Sequence, residues 1–265
     1  MLLDPDYRRD RIHRWQVRAA RLSVVLALAS IVLTICSTVT PAAAEWAFDV
    51  YGGGAFAERT DIKTISRLAP ILGFNFRTTA EDVRFDTTAA IGGRLGYWTE
   101  RLSWLGFGVD VMHFRREVPI QSVTISQGAF VSGDTDINGP DFSTVAVSFF
   151  PMLRWPLMTD ASHPKGLVQP YIFGGPTLFF TELSQAPLNA SRAHARTLGV
   201  TAGGGVSVPI SHWLALFGEY RFTRERASFD SRSDIILGTT PMPITVTTET
   251  TFQTHMLLVG ASLRW

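Results

Sequence analysis

Eight stretches of the chain alternate apolar residues with small or polar ones, and this period of two constrains the fold more than any other feature. In the first stretch, Trp46, Phe48 and Val50 fall on one face of a strand and Asp49 falls on the other. A period of two is typical of β-strands whose two faces meet different environments. No stretch after Glu45 keeps the 3.6-residue period of a helix over three turns. The alternating stretches are 46–56, 88–98, 104–114, 143–155, 167–180, 197–209, 213–223 and 251–265.

The links between these stretches are alternately long and short. The long links are 58–87, 115–142, 181–196 and 224–250, and the short ones are 99–103, 156–166 and 210–212. Outer-membrane barrels have short periplasmic turns and longer external loops, and their strands of about ten residues cross the bilayer at a tilt. A sheet in hydrocarbon must also close, because an open edge leaves backbone groups unpaired. We therefore predict a closed, antiparallel, eight-stranded transmembrane β-barrel over 45–265, with both termini in the periplasm.

The first 44 residues have the pattern of a signal peptide. A basic segment at 7–21 precedes an apolar run at 22–36, and small residues follow. Ala42 and Ala44 suit the −3 and −1 positions of a cleavage site, which predicts a helical signal peptide over 1–44 and cleavage between Ala44 and Glu45. An uncleaved anchor is the alternative, although an apolar run of about 15 residues is short for a span. The one cysteine, Cys36, lies in this segment, so the remaining chain has no thiol for a disulfide or a metal.

The face opposite the large apolar residues is rich in Gly, Ala, Ser and Thr and carries charged residues at intervals. Small residues suit the narrow interior of an eight-stranded barrel, which side chains fill. Charges in such a poorly hydrated space are tolerated when they are paired. Glu219 and Arg221 are either a fixed internal ion pair, which we favour, or a salt-bridge gate. The predicted polar network of the lumen consists of Arg94, Asp110, Arg154, Glu219, Arg221 and Arg264.

Alternation alone does not say which face points outward, because a soluble lipocalin-like barrel has the same pattern with its apolar set inside. The signal segment, the unequal links and the aromatic residue at the end of the last stretch favour the membrane barrel. Aromatic residues near strand ends also favour it, since such belts anchor membrane proteins at the interface. The residues predicted for a periplasmic belt are Trp46, Tyr97, Trp98, Trp104, Trp155, Trp213 and Trp265.

Four stretches resemble the bacterial outer-membrane β-barrel domain family, the broad set of porin-family and OmpA-like small barrels. They are GFNFRTTAEDVRFDTTAAIGGRLGYW (73–98), PYIFGGPTLFF (170–180), FGEYRFTR (217–224) and LVGASLRW (258–265). The resemblance implies an eight-stranded barrel in the outer membrane. It also implies that Trp265 and Leu263 form the signal that the barrel-assembly machinery reads. Because members of this family do varied things, the resemblance implies fold and location more than activity.

The sequence offers little for catalysis or for metal binding. His113 and His255 fall near the outer ends of strands, where a lipid A deacylase would need its base, but neither has the serine two residues later that those enzymes use. Histidines are not clustered at metal-binding spacings. An acidic link lacks the twelfth-position acid of a calcium-binding EF-hand; its carboxylates are Asp134, Asp136 and Asp141. We predict no enzyme activity, no cofactor and no metal.

Three functions stay open from the sequence. The first is a structural, envelope-integrity or surface-interaction role, with outer-membrane lipids and lipopolysaccharide, the barrel-assembly machinery and external ligands of the long links as partners. The second is a narrow pore or a lateral path for small hydrophobic compounds, and the third is lipid A modification. A net charge of +1 gives no reason to expect nucleic acid as a partner. The apolar run at 68–76 is expected to fold across the mouth, extend the sheet or bind a hydrophobic ligand.

Overall fold

The computed structural model describes residues 45–68, 75–127, 131–137, 139, 141–159, 166–184, 192–237 and 240–265. The predicted signal peptide, including Ala44, and most of the apolar run at 68–76 lie outside the described residues. Among the residues that are described, no helix is long and apolar enough to cross a membrane.

The regular elements of the described chain are twelve β-strands. They are β1 (Glu45–Ala57), β2 (Thr60–Leu68), β3 (Asn75–Val83), β4 (Thr88–Trp98), β5 (Leu105–Arg116), β6 (Gln121–Gln127), β7 (Val131–Ile137), β8 (Asp141–Arg154), β9 (Gln169–Ser184), β10 (Arg192–Pro209), β11 (Leu214–Leu237) and β12 (Thr240–Arg264).

Eight of these strands form a closed antiparallel ring. Their order is β1-β4-β5-β8-β9-β10-β11-β12, and β12 pairs back onto β1 from Ala47↔Arg264 to Ala57↔Thr254. Each of the eight alternating stretches supplies one ring strand, so the prediction of an all-β fold with eight strands in a ring is confirmed. Closure satisfies the backbone groups that an open edge would leave unpaired.

The ring is staggered by ten residues. Stepping from Arg196 to the paired residue on each neighbouring strand in turn leads back to β10 at Val206, ten residues further along. The residues on this path are Phe180, Val145, His113, Ile91, Gly52, Val259 and Gly218. A stagger of this kind tilts the strands by about 40° and gives eight strands an interior that side chains can fill.

Inward-facing glycines let neighbouring strands approach each other closely. A Cβ atom added to Gly53 would lie 1.9 Å from the carbonyl oxygen of Leu257, and one added to Gly175 would lie 2.2 Å from that of Phe149. Any side chain at these two positions would force the paired strands apart. Glycine in these strands therefore preserves the hydrogen-bond ladder of the ring.

The four long links contain strands, so treating them as loops was wrong. The links at 58–87 and 115–142 contain β2, β3, β6 and β7, and the links at 181–196 and 224–250 contain the outer parts of β9 to β12. The outer part of β12 pairs with β2, and the order continues through β3 and β6 to β7. We call these strands, with the outer parts of β11 and β12, the external sheet. Their many Thr, Ile and Val residues favour strands.

The wall of the ring divides between β10 and β11 at its outer end. The two strands pair from Pro209↔Ala215 up to Val200↔Arg224. Beyond that point β10 pairs with β9 as far as Arg192, and β11 pairs with β12 as far as Leu237. We call this division the fork. It separates the external sheet from the outer ends of β9 and β10.

The polarity of the ring is the reverse of that in a soluble protein. Asp110 and Arg221 point inward and are 0% exposed, whereas Leu198 and Val259 point outward and are 71% and 70% exposed. Outward apolar side chains cover about ten residues of each strand, which at the tilt of the ring is a height of about 25 Å. We call this surface the apolar belt. It includes Val50, Ile91, Val109, Val111, Val145, Phe149, Ile172, Leu178, Leu198, Val200, Val206, Leu216, Leu257 and Val259.

Candidate functional site

Five charged side chains meet in the middle of the ring, and we call them the central cluster. Arg221 donates from Nη1 to Asp110 Oδ1 at 2.8 Å and from Nη2 to Glu219 Oε1 at 2.6 Å. Arg94 donates from Nε to Asp49 Oδ2 at 2.6 Å and from Nη1 to Glu219 Oε2 at 2.9 Å. Glu219 therefore links the two arginines. All five residues are at most 5% exposed.

The ring brings these charges together in two ways. Arg94 on β4 stands directly opposite Asp49 on β1 and Asp110 on β5, so these three residues are neighbours in the ladder. Arg221 reaches Asp110 across the interior, from β11 to β5. Four of the six predicted network residues thus belong to the central cluster, and Asp49 joins them.

Two tyrosines complete the hydrogen bonding of the central cluster. The Tyr51 hydroxyl donates to Asp110 Oδ2 at 2.7 Å and accepts from Arg221 Nη1 at 3.0 Å. The Tyr171 hydroxyl donates to Glu219 Oε2 at 2.8 Å. The Arg221 guanidinium also lies 4.8 Å from the centre of the Tyr51 ring. Hydrogen bonds and ring faces thus replace the water that these charges give up.

The other two predicted network residues form a second group nearer the short turns. Arg154 donates from Nη2 to Glu45 Oε2 at 2.9 Å, and Arg264 Nη1 lies 3.5 Å from Glu45 Oε1. Arg264 also donates to Gln169 Oε1 at 2.8 Å and to Ser207 Oγ at 2.7 Å. Glu45, predicted only as the residue after a cleavage site, is therefore an ion-pair partner in the ring.

The prediction that Trp98 belongs to an outward aromatic belt was wrong. Its side chain is 6% exposed and points into the ring, where the Arg154 guanidinium lies 4.2 Å from the ring centre. The reason is parity, because Trp98 is an even number of residues from inward-facing Arg94. Its neighbour Tyr97 has the opposite parity and packs against Trp46, with 5.0 Å between ring centroids and 55° between the ring planes.

Little space remains between the central cluster and the second group. The cavity there has a volume of about 20 Å³ and is lined by residues of both groups, including Asp49, Arg94, Arg154 and Arg264. Asp49 Oδ1 and Arg154 Nη1 are buried without a hydrogen-bond partner in the structure. A space of this size holds about one water molecule. The interior at this level is packed rather than open.

A third ion pair lies towards the outer end, and the sequence analysis missed it. Arg116 Nη1 and Glu225 Oε1 are 2.8 Å apart, and both side chains are at most 1% exposed. The Arg116 guanidinium lies 4.6 Å from the centre of the Phe114 ring and 4.3 Å from that of Phe252. Both charged residues fall in links taken for loops. Parity was the available signal, because Arg116 is six residues from Asp110 and Glu225 is four from Arg221.

Aromatic side chains close the interior above this third pair. The Phe142 ring lies 4.9 Å from Phe252, 5.7 Å from Phe229 and 6.4 Å from Phe85, measured between centroids. We call these four rings the aromatic cap. Val83, Val118 and Val123 from the external links are buried in the same apolar cluster.

The external segments that contribute to this cluster are joined by polar contacts. The side chain of Gln121 accepts from the backbone N–H of Arg84 and donates to its carbonyl, each at 3.0 Å. The backbone N–H of Asp86 donates to the carbonyl of Glu117 at 2.9 Å. The links after β1 and β5 thus contribute to one packed cover over the ring.

The two histidines considered for lipid chemistry are outward and partly buried. His255 Nε2 lies 2.8 Å from Glu58 Oε1, and its Nδ1 lies 2.6 Å from the Tyr220 hydroxyl. His113 Nδ1 lies 3.1 Å from the carbonyl oxygen of Thr144. Within the described part of the chain, no group of three or more His, Cys, Asp and Glu residues could hold a metal ion.

The predicted assembly signal lies where the ring closes. Trp265 and Trp46 exchange backbone hydrogen bonds of 3.1 and 3.0 Å, which complete the pairing of β12 with β1. Leu263 points outward and is 43% exposed.

No family model and no curated protein matches the chain. Solved structures similar to it include OprG from Pseudomonas aeruginosa, with 13% identity, coverage of 83% of this chain and 95% of that one, and a TM-score of 0.45. AlkL in lipid bilayers has 12% identity, coverage of 86% and 93%, and a TM-score of 0.43. Neisserial surface protein A has 15% identity, coverage of 79% and 97%, and a TM-score of 0.37.

OprG and AlkL are outer-membrane proteins. All three likenesses have TM-scores below 0.5.

Proposed function

We propose that this chain is an integral β-barrel protein of the bacterial outer membrane, with a structural and surface-interaction role and an interior closed to solutes. The observation that carries the proposal is the reversed polarity of the ring. Asp110 and Arg221 are fully buried inside, while Leu198 and Val259 are about 70% exposed outside. In water this arrangement would expose apolar surface and bury charge, and both are unfavourable. In a bilayer the apolar surface faces the acyl chains and the charges lie inside the barrel.

The dimensions of the outer surface support this location. The apolar belt is about as tall as the hydrocarbon-facing band of outer-membrane barrels, which is about 25 Å. Trp104, Trp155 and Trp213 are about half exposed at its short-turn border. Phe56 and Tyr220 are exposed at its other border. In this proposal the short turns, the start of β1 and the end of β12 face the periplasm, and the external sheet faces the outside of the cell.

The packed interior favours a closed barrel over a narrow pore. The second group, the central cluster, the third ion pair and the aromatic cap follow one another along the interior. A solute could pass only if buried ion pairs separated. Leaving one partner of such a pair uncompensated costs about 3–5 kcal/mol.

The fork lies at the wrong level for a lateral path that takes hydrophobic compounds into the membrane. Val200 is the last β10 residue paired with β11. Outward side chains change there from apolar to charged, from Leu198 to Arg196 on β10 and from Phe222 to Arg224 on β11. Below this level β10 and β11 are paired without a gap down to Pro209. The seam between β10 and β11 is therefore continuous across the depth of the apolar belt.

The external sheet supports the surface-interaction part of the proposal. β11 and β12 pair as far as Leu237↔Thr240, thirteen residues beyond Arg224. At about 3.3 Å per residue, the hairpin extends about 40 Å past the fork. Residues of such external segments usually carry the variable contacts of a barrel protein.

Reconstitution into planar bilayers tests the closed barrel directly. Purified protein, refolded in detergent and added to a bilayer, should insert and show no stable single-channel steps. Co-flotation of the same preparation with liposomes should report insertion independently. Insertion with large, regular conductance steps would contradict the closed interior. A folded protein that stays soluble without detergent would contradict the membrane location.

A further inference from the structure

Three exposed arginines lie just above the apolar belt, on the two strands that separate at the fork. Arg196 is on β10, and Arg224 and Arg226 are on β11. Val200 pairs with Arg224, so all three lie within a few residues of the point where the two strands separate. Phe180, the ladder partner of Arg196, and Leu198 are the apolar residues directly beneath them. We call these three side chains the arginine patch.

The arginine patch differs from the arginines of the interior in its charge partners. Every inward arginine of the ring has a carboxylate within 4 Å; these residues are Arg94, Arg116, Arg154, Arg221 and Arg264. Where side chains are described, Arg196, Arg224 and Arg226 have no such partner. The protein therefore neutralises its buried arginines itself, whereas these three guanidiniums are open to solvent and to ligands from outside.

We infer that the arginine patch binds phosphate groups of lipid headgroups in the outer leaflet, those of a phosphorylated glycolipid of the lipid A class. The inference depends on the proposed membrane location, since that location places acyl chains against Leu198 and Phe180 and headgroups against the guanidiniums. A guanidinium offers paired N–H donors that match phosphate oxygens, and it stays charged at every physiological pH.

The local structure holds the patch open to such a ligand. The Arg196 guanidinium lies 6.0 Å from the centre of the Phe180 ring, against the wall of the ring. Beyond the fork, β10 and β11 no longer pair with each other, so a headgroup can approach between them. Two outward carboxylates are diagonal neighbours of the patch in the register, Glu182 of Arg196 and Glu249 of Arg226. Glu249 also faces Lys63 on β2, so positive charge is in excess here.

Arg115 provides a matched control on the opposite wall. It is an exposed, outward arginine near the outer end of β5. Glu117 follows it by two residues, and Asp141 is diagonal to it on β8, whose Ser143 is its ladder partner. Two carboxylates beside a single arginine leave a net negative charge, whereas the patch has three arginines beside two carboxylates. Arg115 is therefore the poorer phosphate site.

The experiment compares binding of lipid A by four forms of the whole protein folded in neutral detergent micelles. They are the wild type, Arg196→Gln, the triple variant Arg196→Gln/Arg224→Gln/Arg226→Gln, and Arg115→Gln. The probes are lipid A with both phosphates, the same lipid A with its phosphates removed, and inorganic phosphate. Binding is measured by native mass spectrometry of the protein–lipid complexes during titration, and the folded state of each variant is checked by its heat-dependent gel mobility.

We expect the wild type and Arg115→Gln to bind phosphorylated lipid A with equal affinity. Each arginine of the patch should contribute about fivefold, so the triple variant should bind about a hundredfold more weakly. Equal binding of phosphorylated and dephosphorylated lipid A would overturn the inference, as would equal affinities of the wild type and the triple variant. Saturation by inorganic phosphate at the same concentrations would overturn the lipid headgroup as the source of the phosphate.

Failure of the inference is distinguishable from failure of the proposed function. A protein that inserts into liposomes but ignores the lipid A phosphates refutes the patch alone. A protein that does not insert refutes the membrane location and removes the patch with it.

Discussion

The interior of the ring and the external sheet use the same chemical pair in opposite surroundings. Arg221 and Asp110 are 2.8 Å apart with both side chains 0% exposed. Arg59 and Asp82 are 2.7 Å apart, with side chains 53% and 62% exposed. The distances are nearly identical, so the two pairs differ in their surroundings rather than in their separation. Inside, each ion depends on its partner, whereas outside water replaces the partner at little cost.

The largest effect should follow from removing one ion of the central cluster. Arg221→Gln leaves Asp110 and part of Glu219 without a positive partner in a dry interior, so the free energy of unfolding should fall by about 3–5 kcal/mol. Urea unfolding of the protein in lipid vesicles, followed by tryptophan fluorescence, measures it. A loss below 1 kcal/mol would mean that the buried ion pair matters no more for stability than the exposed pair of the external sheet.

The double variant Glu219→Gln/Arg221→Gln tests whether the pair is fixed or a gate. Because it removes two opposite charges, its loss of unfolding free energy should be smaller than the sum of the two single losses by about 1 kcal/mol or more. Conductance in planar bilayers should stay at the wild-type level. A large rise in single-channel conductance would contradict the fixed pair and favour the gate.

Two tyrosines allow the interior and the outer surface to be compared by the loss of a single hydroxyl group. Tyr171→Phe removes a buried hydrogen bond to the charged Glu219 and should cost about 1.5–3 kcal/mol of unfolding free energy. Tyr220→Phe, the matched outward change, removes a bond to His255 on a side that remains partly exposed, and should cost less than 1 kcal/mol. Both are measured by the same urea titration. Equal losses would show that burial does not control the strength of these bonds.

The smallest effect is expected in the external sheet. Arg59→Gln breaks an exposed pair and should lower the free energy of unfolding by less than about 1 kcal/mol, with a still smaller effect at 1 M salt. Thermal unfolding at two salt concentrations measures both quantities. A loss above 2 kcal/mol that is insensitive to salt would mean that this pair is shielded from water.

Much of the ring followed from the sequence because parity is a local property. Each alternating stretch assigns its own inward and outward residues, and Arg94, Asp110, Glu219 and Arg221 met as their common face requires. Trp98 shows that spacing along the strand is a better guide to the facing of a side chain than residue type. It was placed in the belt because it is a tryptophan at a strand end, although its even spacing from Arg94 assigns it to the interior.

The partners within the interior did not follow from the sequence. Which residues face each other across the ring depends on its ten-residue stagger, and no local pattern records that number. The pairing of Arg154 and Arg264 with Glu45 is one result of this stagger. The external strands were missed for another reason. Segments such as TVTTETT (245–251) are polar on both faces, so the hydrophobic alternation that identifies a membrane strand is absent there.

The stagger also sets where the length of this chain is free to change. Deleting one residue between Leu214 and Arg221 would turn Arg221 towards the outside of the ring and Phe222 towards the interior, since one step reverses every following side chain. Deleting two would restore the faces but shift the ladder against both neighbours, and so alter the circumference of the ring. Beyond Arg224, β11 has a partner on one side only. Insertions and deletions in sequences that descend from this one should therefore accumulate beyond the fork. They should be rare in the strands of the ring.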